Sequence, residues 1–307
     1  MNKIDLSQVS DIILDDNILE SLNKISELDY VRSISISRDI HYCNDIPVGT
    51  RVTATRFNAK WIGADIGCGV SITKLKQGTI DSLNIDYLQN ELNKGDYNSF
   101  NLGTIGGGNH FVEFGFDDKQ QEYLTIHTGS RSHGGMISEI IQEFDLDDNL
   151  KYRLYETSLN FAKLNHKQLL RKIEPSLKMT TIYHHNYMER DGDKFIHYKG
   201  SLNGKIGKNL YPIPANMRDG VLVCVSLKDN THLPHGAGRV IRRRDALNYT
   251  QENIDLETGH LKNKVLYKNR DELPSTYKDI NFVIQPLIDF GIIRVINKIK
   301  PVINIKG

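Results

Sequence analysis

Near the start of the chain, Ile13, Leu14, Ile18, Leu19, Leu22 and Ile25 recur at helical spacing in a polar background and predict a packed helix. From residue 31 to 71 the texture changes. VRSISIS, VGTRVTATRF and KWIGADIGCGVSIT are short, β-branched and broken by Gly, which predicts strands and loops. Residues 80–94 return to helical periodicity through Leu83, Tyr87, Leu88 and Leu92, with Asp81 as the expected N-cap. A Gly-rich loop, NLGTIGGGNHFVEFGF, follows, and YLTIHTGSR then reads as a strand running into a turn. Two helical stretches lie around MISEIIQEF and KYRLYETSLNFAKLNHKQLLRKI. Residues 180–227 revert to strands and loops and end in VLVCVSL, an apolar run typical of a buried strand. HGAGRVIRRRDAL reads as a loop entering a helix, and the tail ends in the apolar segment IIRVINKIKPVINIKG. With no internal repeat and no Gly-, Ser- or Pro-rich linker, the pattern predicts an α+β fold, organised as one interleaved domain over residues 1–307.

Composition narrows the class without naming a function. Of 307 residues, 39% are hydrophobic and 25% charged, the balance of a globular chain rather than a disordered or collagen-like one. No apolar run approaches the roughly 18 residues of a membrane span, and MNKIDLSQVSDIILDD lacks the basic-then-apolar order of a signal peptide. The expectation is a cytoplasmic protein with no membrane partner. Cys43, Cys68 and Cys224 are too few for a disulfide framework and read as reduced thiols. Lys and Arg (39) nearly balance Asp and Glu (38), so no global cationic field marks a nucleic-acid binder. Base is nevertheless concentrated in Lys194, Lys199, Lys205, Lys208, Arg218, Arg239, Arg242, Arg243 and Arg244. Such a run is either a phosphate-binding patch or a solvated cationic face.

The eleven histidines change the picture, because several occupy segments of Gly and small polar residues that packing alone would not fill with imidazole. Asp65 and Cys68 stand three apart on a Gly-flanked turn and can both point at one ion, although by itself the pattern is more often a surface Asp beside a buried Cys. Gly106-Gly107-Gly108-Asn109-His110 lets backbone approach a ligand closely, then supplies an amide and an imidazole, with Glu113 three residues on; the alternative is a surface loop before an edge strand. In His127-Thr128-Gly129-Ser130-Arg131 a strand-terminal His precedes two anion-holding side chains. His184 and His185 are strand neighbours and face opposite ways, so at most one belongs to any given site. His235-Gly236-Ala237-Gly238-Arg239 precedes an expected helix N-terminus, a ready phosphate site, or is a left-handed turn with an incidental His.

In their order, DIGCGV, GGGNHFVE, HTGSR, HHN, HYKG, HGAGR and a final Lys-Gly resemble the RtcB family, GTP-dependent RNA ligases that join 3′-phosphate or 2′,3′-cyclic phosphate ends to 5′-hydroxyl ends. The resemblance runs from Asp39-Ile40-His41, similar to the family's DxH segment, to Lys306-Gly307. It implies an α+β fold with β-sheets packed around a central metal cleft and helices outside. It also implies that Asp65, Cys68, His110, His127 and His185 bind two manganese ions bridged by Cys68, and that His235 attacks the α-phosphate of GTP and carries GMP. Asn109, Glu113 and Lys306 match guanylate contacts, Pro214, Met217, Gly236 and Gly238 match nucleotide-lining positions, and Arg131, Lys199 and Arg239 match phosphate or RNA contacts. The implied partners are RNA, broken or spliced tRNA foremost, GTP, and an archease-like activator. Two departures fall where nucleotide contacts are expected: Tyr198 where the family commonly has Arg, and Ala215-Asn216 where it has Gly-Ser. Two rival classes share the same residues, a metal-dependent RNA phosphoesterase or nuclease with no His235 adduct, and a non-catalytic RNA-end-binding homologue.

Overall fold

Side chains of Phe111–Phe116 alternate between two environments, as a pleated strand requires. Val112 and Phe114 enter an apolar cluster with Leu124, Ile126, Ile303 and Ile305, while Phe111 and Glu113 line a cleft on the opposite face. The same alternation, repeated across long-range pairings, builds the molecule. The computed structural model describes residues 3–94, 100–178, 180–207 and 209–307, and Lys208 of the basic run lies outside them.

Among the described residues the strands form two larger sheets and a ribbon. The larger sheet runs Tyr211–Pro214, Val221–Ser226, Ile293–Lys306, Phe111–Phe116, Glu122–Thr128, Gly69–Lys74 and Ile182–His184, all neighbours antiparallel. The second runs Ile4–Asp5, Val31–His41, Val48–Ala54, Lys194–Lys199 and Asn186–Asp191, with only its first pair parallel. The ribbon pairs Ser201–Gly204 with Thr231–Pro234. Phe111–Phe116 is therefore an interior strand and not the edge strand of the bland reading. Helix Asp148–Ile173 buries Leu169, Leu170 and Ile173 against the larger sheet, and helix Asp16–Ser26 buries Ile18, Leu22 and Ile25 against Val31–His41. Each such side chain contributes roughly 2 kcal/mol by leaving water. The α+β class is as the sequence pattern predicts, and the sheets around a cleft with helices outside are as the family resemblance implies.

Three boundaries differ from the pattern reading. The first helix starts at Asp16, because the Asp15 carboxylate accepts the backbone N–H of Asn17 and stops the helix from extending backwards; Ile13 is left 99% exposed. The helix expected over 80–94 is split into a 3₁₀ turn, Ile80–Ser82, and an α-helix, Ile85–Leu92, capped by Asn84 in place of Asp81. No α-helix begins directly after HGAGR: Gly238 adopts φ +73°, the segment runs into the 3₁₀ stretch Arg243–Asn248, and the next α-helix is Gln251–Thr258, capped by Thr250.

Candidate active site and metal centre

Four expected ligands come together because they sit at one end of the larger sheet. Cys68 precedes Gly69–Lys74, His110 precedes Phe111–Phe116, His127 is the penultimate residue of Glu122–Thr128, and His185 follows Ile182–His184. The antiparallel register aligns Phe111 with His127, and Gly69 with both Thr128 and His184, which brings those ends level. His185 is also the single residue between a strand of the larger sheet and one of the second, and its N–H donates to the Cys68 carbonyl at 2.9 Å. As the alternation rule requires, His184 faces away and its Nδ1 lies 2.7 Å from the Gly67 carbonyl.

Cys68 Sγ lies 3.3 Å from His110 Nε2 and 3.2 Å from His127 Nε2, which is 3.3 Å from His185 Nε2. Asp65 Oδ2 lies 2.9 Å from His110 Nε2. Its other oxygen accepts the N–H of Arg131, whose left-handed φ of +55° turns that N–H toward it. His110 Nδ1 faces the Ile105 carbonyl at 3.1 Å, which turns Nε2 toward Cys68 and Asp65. Sulfur, imidazole nitrogens and a carboxylate oxygen thus converge on one buried point, a donor set that could hold a metal ion. Burial, helped by the neighbouring imidazoles, holds His127 and His185 well below the ordinary histidine range, as neutral ligands. Burial and the Asp65 charge push the Cys68 thiol well above its usual value, so a metal would have to displace its proton. The donor set fits a divalent transition metal better than magnesium.

Beside this cluster the His235 ring centroid lies 4.8 Å from that of His185. Asp39, fully buried, accepts from both His235 Nδ1 at 2.7 Å and the His235 N–H at 3.0 Å, and Ser37 Oγ donates to its other oxygen. Burial raises the Asp39 pKa, but the His235 contact, with help from Ser37 and His41, outweighs it and brings it to about 2. The carboxylate is ionised at neutral pH and faces Nδ1, so in the neutral ring the proton sits on Nδ1 and the lone pair on Nε2. In the sequence Asp39 stands out only as part of the Asp-Ile-His segment, and its pairing with a residue 196 positions away has no local signal. His41, 6.4 Å from His235 between ring centroids, is held near pKa 4, chiefly by burial.

The cluster opens into a cleft of about 990 Å³ that holds most of the other expected residues. Asn109, Glu113, Lys199, Pro214, Met217, Gly236, Gly238, Arg239 and Lys306 all line it. The Ala237 N–H donates to the Pro214 carbonyl and joins the 214–217 turn to the His235 turn, while a Cβ at Gly238 would overlap the Asp39 carbonyl oxygen. Phe111 also lines the cleft, with Lys306 Nζ 5.1 Å from its ring centroid; sequence reading missed it because an apolar residue in a strand signals core. Arg239 is held at the wall by Glu272, which also contacts Arg243 and Lys306. Arg131 does not line the cleft; its guanidinium bonds Thr104 Oγ1 and the Asn101 carbonyl. Of the departures, Tyr198 stacks on Tyr187 at 4.4 Å and donates to Glu189, away from the cleft, whereas Asn216 lines it and closes its own turn by accepting from the N–H groups of Arg218 and Asp219.

Fold and cluster together define an α+β protein in which a buried Cys/His/Asp constellation suited to a transition metal opens into a ligand cleft. The family described as tRNA-splicing ligase RtcB matches residues 78–171 and 152–307, well over half of the chain. This chain belongs to the RtcB family. It is 24% identical to RNA-splicing ligase RtcB2 of an Escherichia coli strain, over 97% of this chain and 94% of that protein. It is 26% identical to RNA-splicing ligase RtcB of Escherichia coli (strain K12), over 70% of this chain and 63% of the relative, and 27% identical to tRNA-splicing ligase RtcB of Nanoarchaeum equitans, over 67% and 60%. The alignment thus covers less than two thirds of each of the last two relatives. Among the described residues no helix is long and apolar enough to cross a membrane.

Proposed function

We propose that the chain is an RNA ligase that joins RNA 3′-phosphate or 2′,3′-cyclic phosphate ends to 5′-hydroxyl ends, consuming GTP and carrying GMP on His235. The observation that supports this best is the Asp39–His235 pair, which holds a ring nitrogen with its lone pair free beside the Cys68/His110/His127/His185 cluster. Two manganese ions held by those four residues and Asp65 would supply Lewis-acid neutralisation of charge on phosphate oxygens.

His235 Nε2 attacks the α-phosphorus of GTP, an N–P bond forms, and the P–O bond to pyrophosphate breaks. The ionised Asp39 stabilises the imidazolium that develops, through the Nδ1–H hydrogen bond. An oxygen of the RNA 3′-phosphate then displaces the imidazole and takes GMP. Attack of the 5′-hydroxyl on that activated phosphate forms the phosphodiester, with loss of the hydroxyl proton and release of GMP. A cyclic phosphate is opened by water first. Lys199 and Arg239 offer cationic contacts to phosphate in the cleft, and Lys306 one to the guanylate. The substrate class is RNA, broken or spliced tRNA foremost, and an archease-like protein is the expected activator.

Incubation with α-labelled GTP and manganese, followed by denaturing electrophoresis, is the test. Label that is acid-labile, alkali-stable and absent from His235→Ala supports the ligase. Cleavage of RNA without any label would instead favour the phosphoesterase reading, which uses the same cluster and needs no adduct.

A further inference from the structure

Two buried acceptors in the cleft lack partners, and they belong to residues that touch. Glu113 and Asn304 are each 2% exposed, both line the cleft, and they stand directly opposite one another across antiparallel strands Phe111–Phe116 and Ile293–Lys306. Asn304 Nδ2 donates to Glu113 Oε2 at 2.7 Å. That bond fixes the amide, because the carboxylate takes the NH₂ end and turns Asn304 Oδ1 away from it. Glu113 Oε1 and Asn304 Oδ1 are left with no hydrogen bond. Burying an acceptor in this way costs about 1–3 kcal/mol, so with Glu113 ionised the pair demands two donors.

The surroundings restrict what can supply them. The strand face that carries Glu113 and Asn304 also carries Phe111 and Lys306, aligned with each other in the same register. Met217 lines the same cleft. A second cation there would be repelled by Lys306, whereas a flat heterocycle satisfies the apolar ring and the acceptors together. Guanine presents two adjacent donors, N1–H and the N2 amino group, on one edge. Adenine presents a single exocyclic donor beside an acceptor nitrogen, which would face a lone pair.

We propose that Asn304 is a specificity-determining residue for the nucleotide, reading guanine jointly with Glu113 by orienting the carboxylate through Nδ2 and accepting a base donor at Oδ1. No local motif marks Asn304, which looks from sequence like a polar interruption of an apolar strand. Its backbone is fixed independently, since its N–H donates to Asn263 Oδ1 and its carbonyl accepts from Asn263 Nδ2. A change of side chain can therefore alter recognition without releasing the strand.

The inference rests on the proposed use of GTP by His235, and the test separates the two. Equilibrium binding of GTP, inosine triphosphate and ATP is measured for the full chain and for Asn304→Leu, which keeps the volume, and Asn304→Ala. His235 labelling by α-labelled GTP is followed in parallel, and circular dichroism checks the fold. Inosine triphosphate keeps N1–H and lacks the N2 amino group. The expected result is that the parent prefers GTP to inosine triphosphate by about tenfold or more and to ATP by a larger factor. The GTP to inosine triphosphate ratio should fall toward one in whichever variant folds. An unchanged ratio in a folded variant that still labels His235 overturns the role of Asn304 and leaves the ligase reading standing. Failure of the parent chain to bind or be labelled by any of the three overturns both.

Discussion

Glu113 shows how one buried side chain ties stability to pH. Burial pushes its carboxyl up to about 7, against the opposing hydrogen bond from Asn304 and the charge of Lys306. A folded pKa above the unfolded value means that the native state holds the extra proton between about pH 4.5 and 7. Stability from this group is therefore fully present below that window and is lost as pH rises through it. Glu113→Gln should flatten this part of the profile: by urea unfolding it should be more stable than the parent at pH 8, with the difference vanishing near pH 5. A parent profile no steeper than the variant's would remove the basis of the argument. At the same scale, the histidines that gather beside Cys68 stood out in the sequence because imidazoles in Gly-rich segments have no packing reason to be there. Asp39, Phe111 and Asn304 did not, since each acts through a partner far away in the chain or occupies a strand position that looks like ordinary core.

Elements carry the site by where they stop. The cluster residues lie at strand ends, and the His235 turn follows Thr231–Pro234 directly. Gly238 in that turn combines φ +73° with close approach to the Asp39 backbone, so Gly238→Ala must move the turn away from Asp39. The expected cost is roughly 1–3 kcal/mol in urea unfolding. His235 labelling by GTP should fall further than this loss of folded protein explains, and parent-like labelling in the variant would show that the turn is not held by that contact. Strand positions were readable because alternation with period two survives in VRSISIS and VGTRVTA. Helix starts were misread at Ile13 and Asp81 because periodicity continues past the point where a cap ends the helix; Asp15 and Asn84 decide, each through one side-chain hydrogen bond.

At the scale of the whole molecule, the cleft is walled by residues of both large sheets and by the 235–244 segment, so a ligand that fills it touches all three parts at once. Binding to the folded state alone raises stability by about 2.7 kcal/mol at one hundred times the dissociation constant. GTP at that level should raise the thermal midpoint by several degrees, and ATP at the same concentration should raise it less; equal shifts would mean that the base is not being read. The α+β class was legible from alternating textures along the chain, but the strand order was not, because nothing in IIRVINKIKPVINIKG says that it inserts between residues 221–226 and 111–116.

That insertion orders events during synthesis. Ile293–Lys306 follows every other strand of its sheet in sequence yet lies inside it, and it brings both Asn304 and Lys306 to the cleft. A nascent chain still lacking it already carries all five cluster residues and His235, but the sheet behind them has a gap one strand wide. On the proposed reaction, the strand that completes the cleft is made last, so a chain truncated before residue 293 is expected not to label at His235.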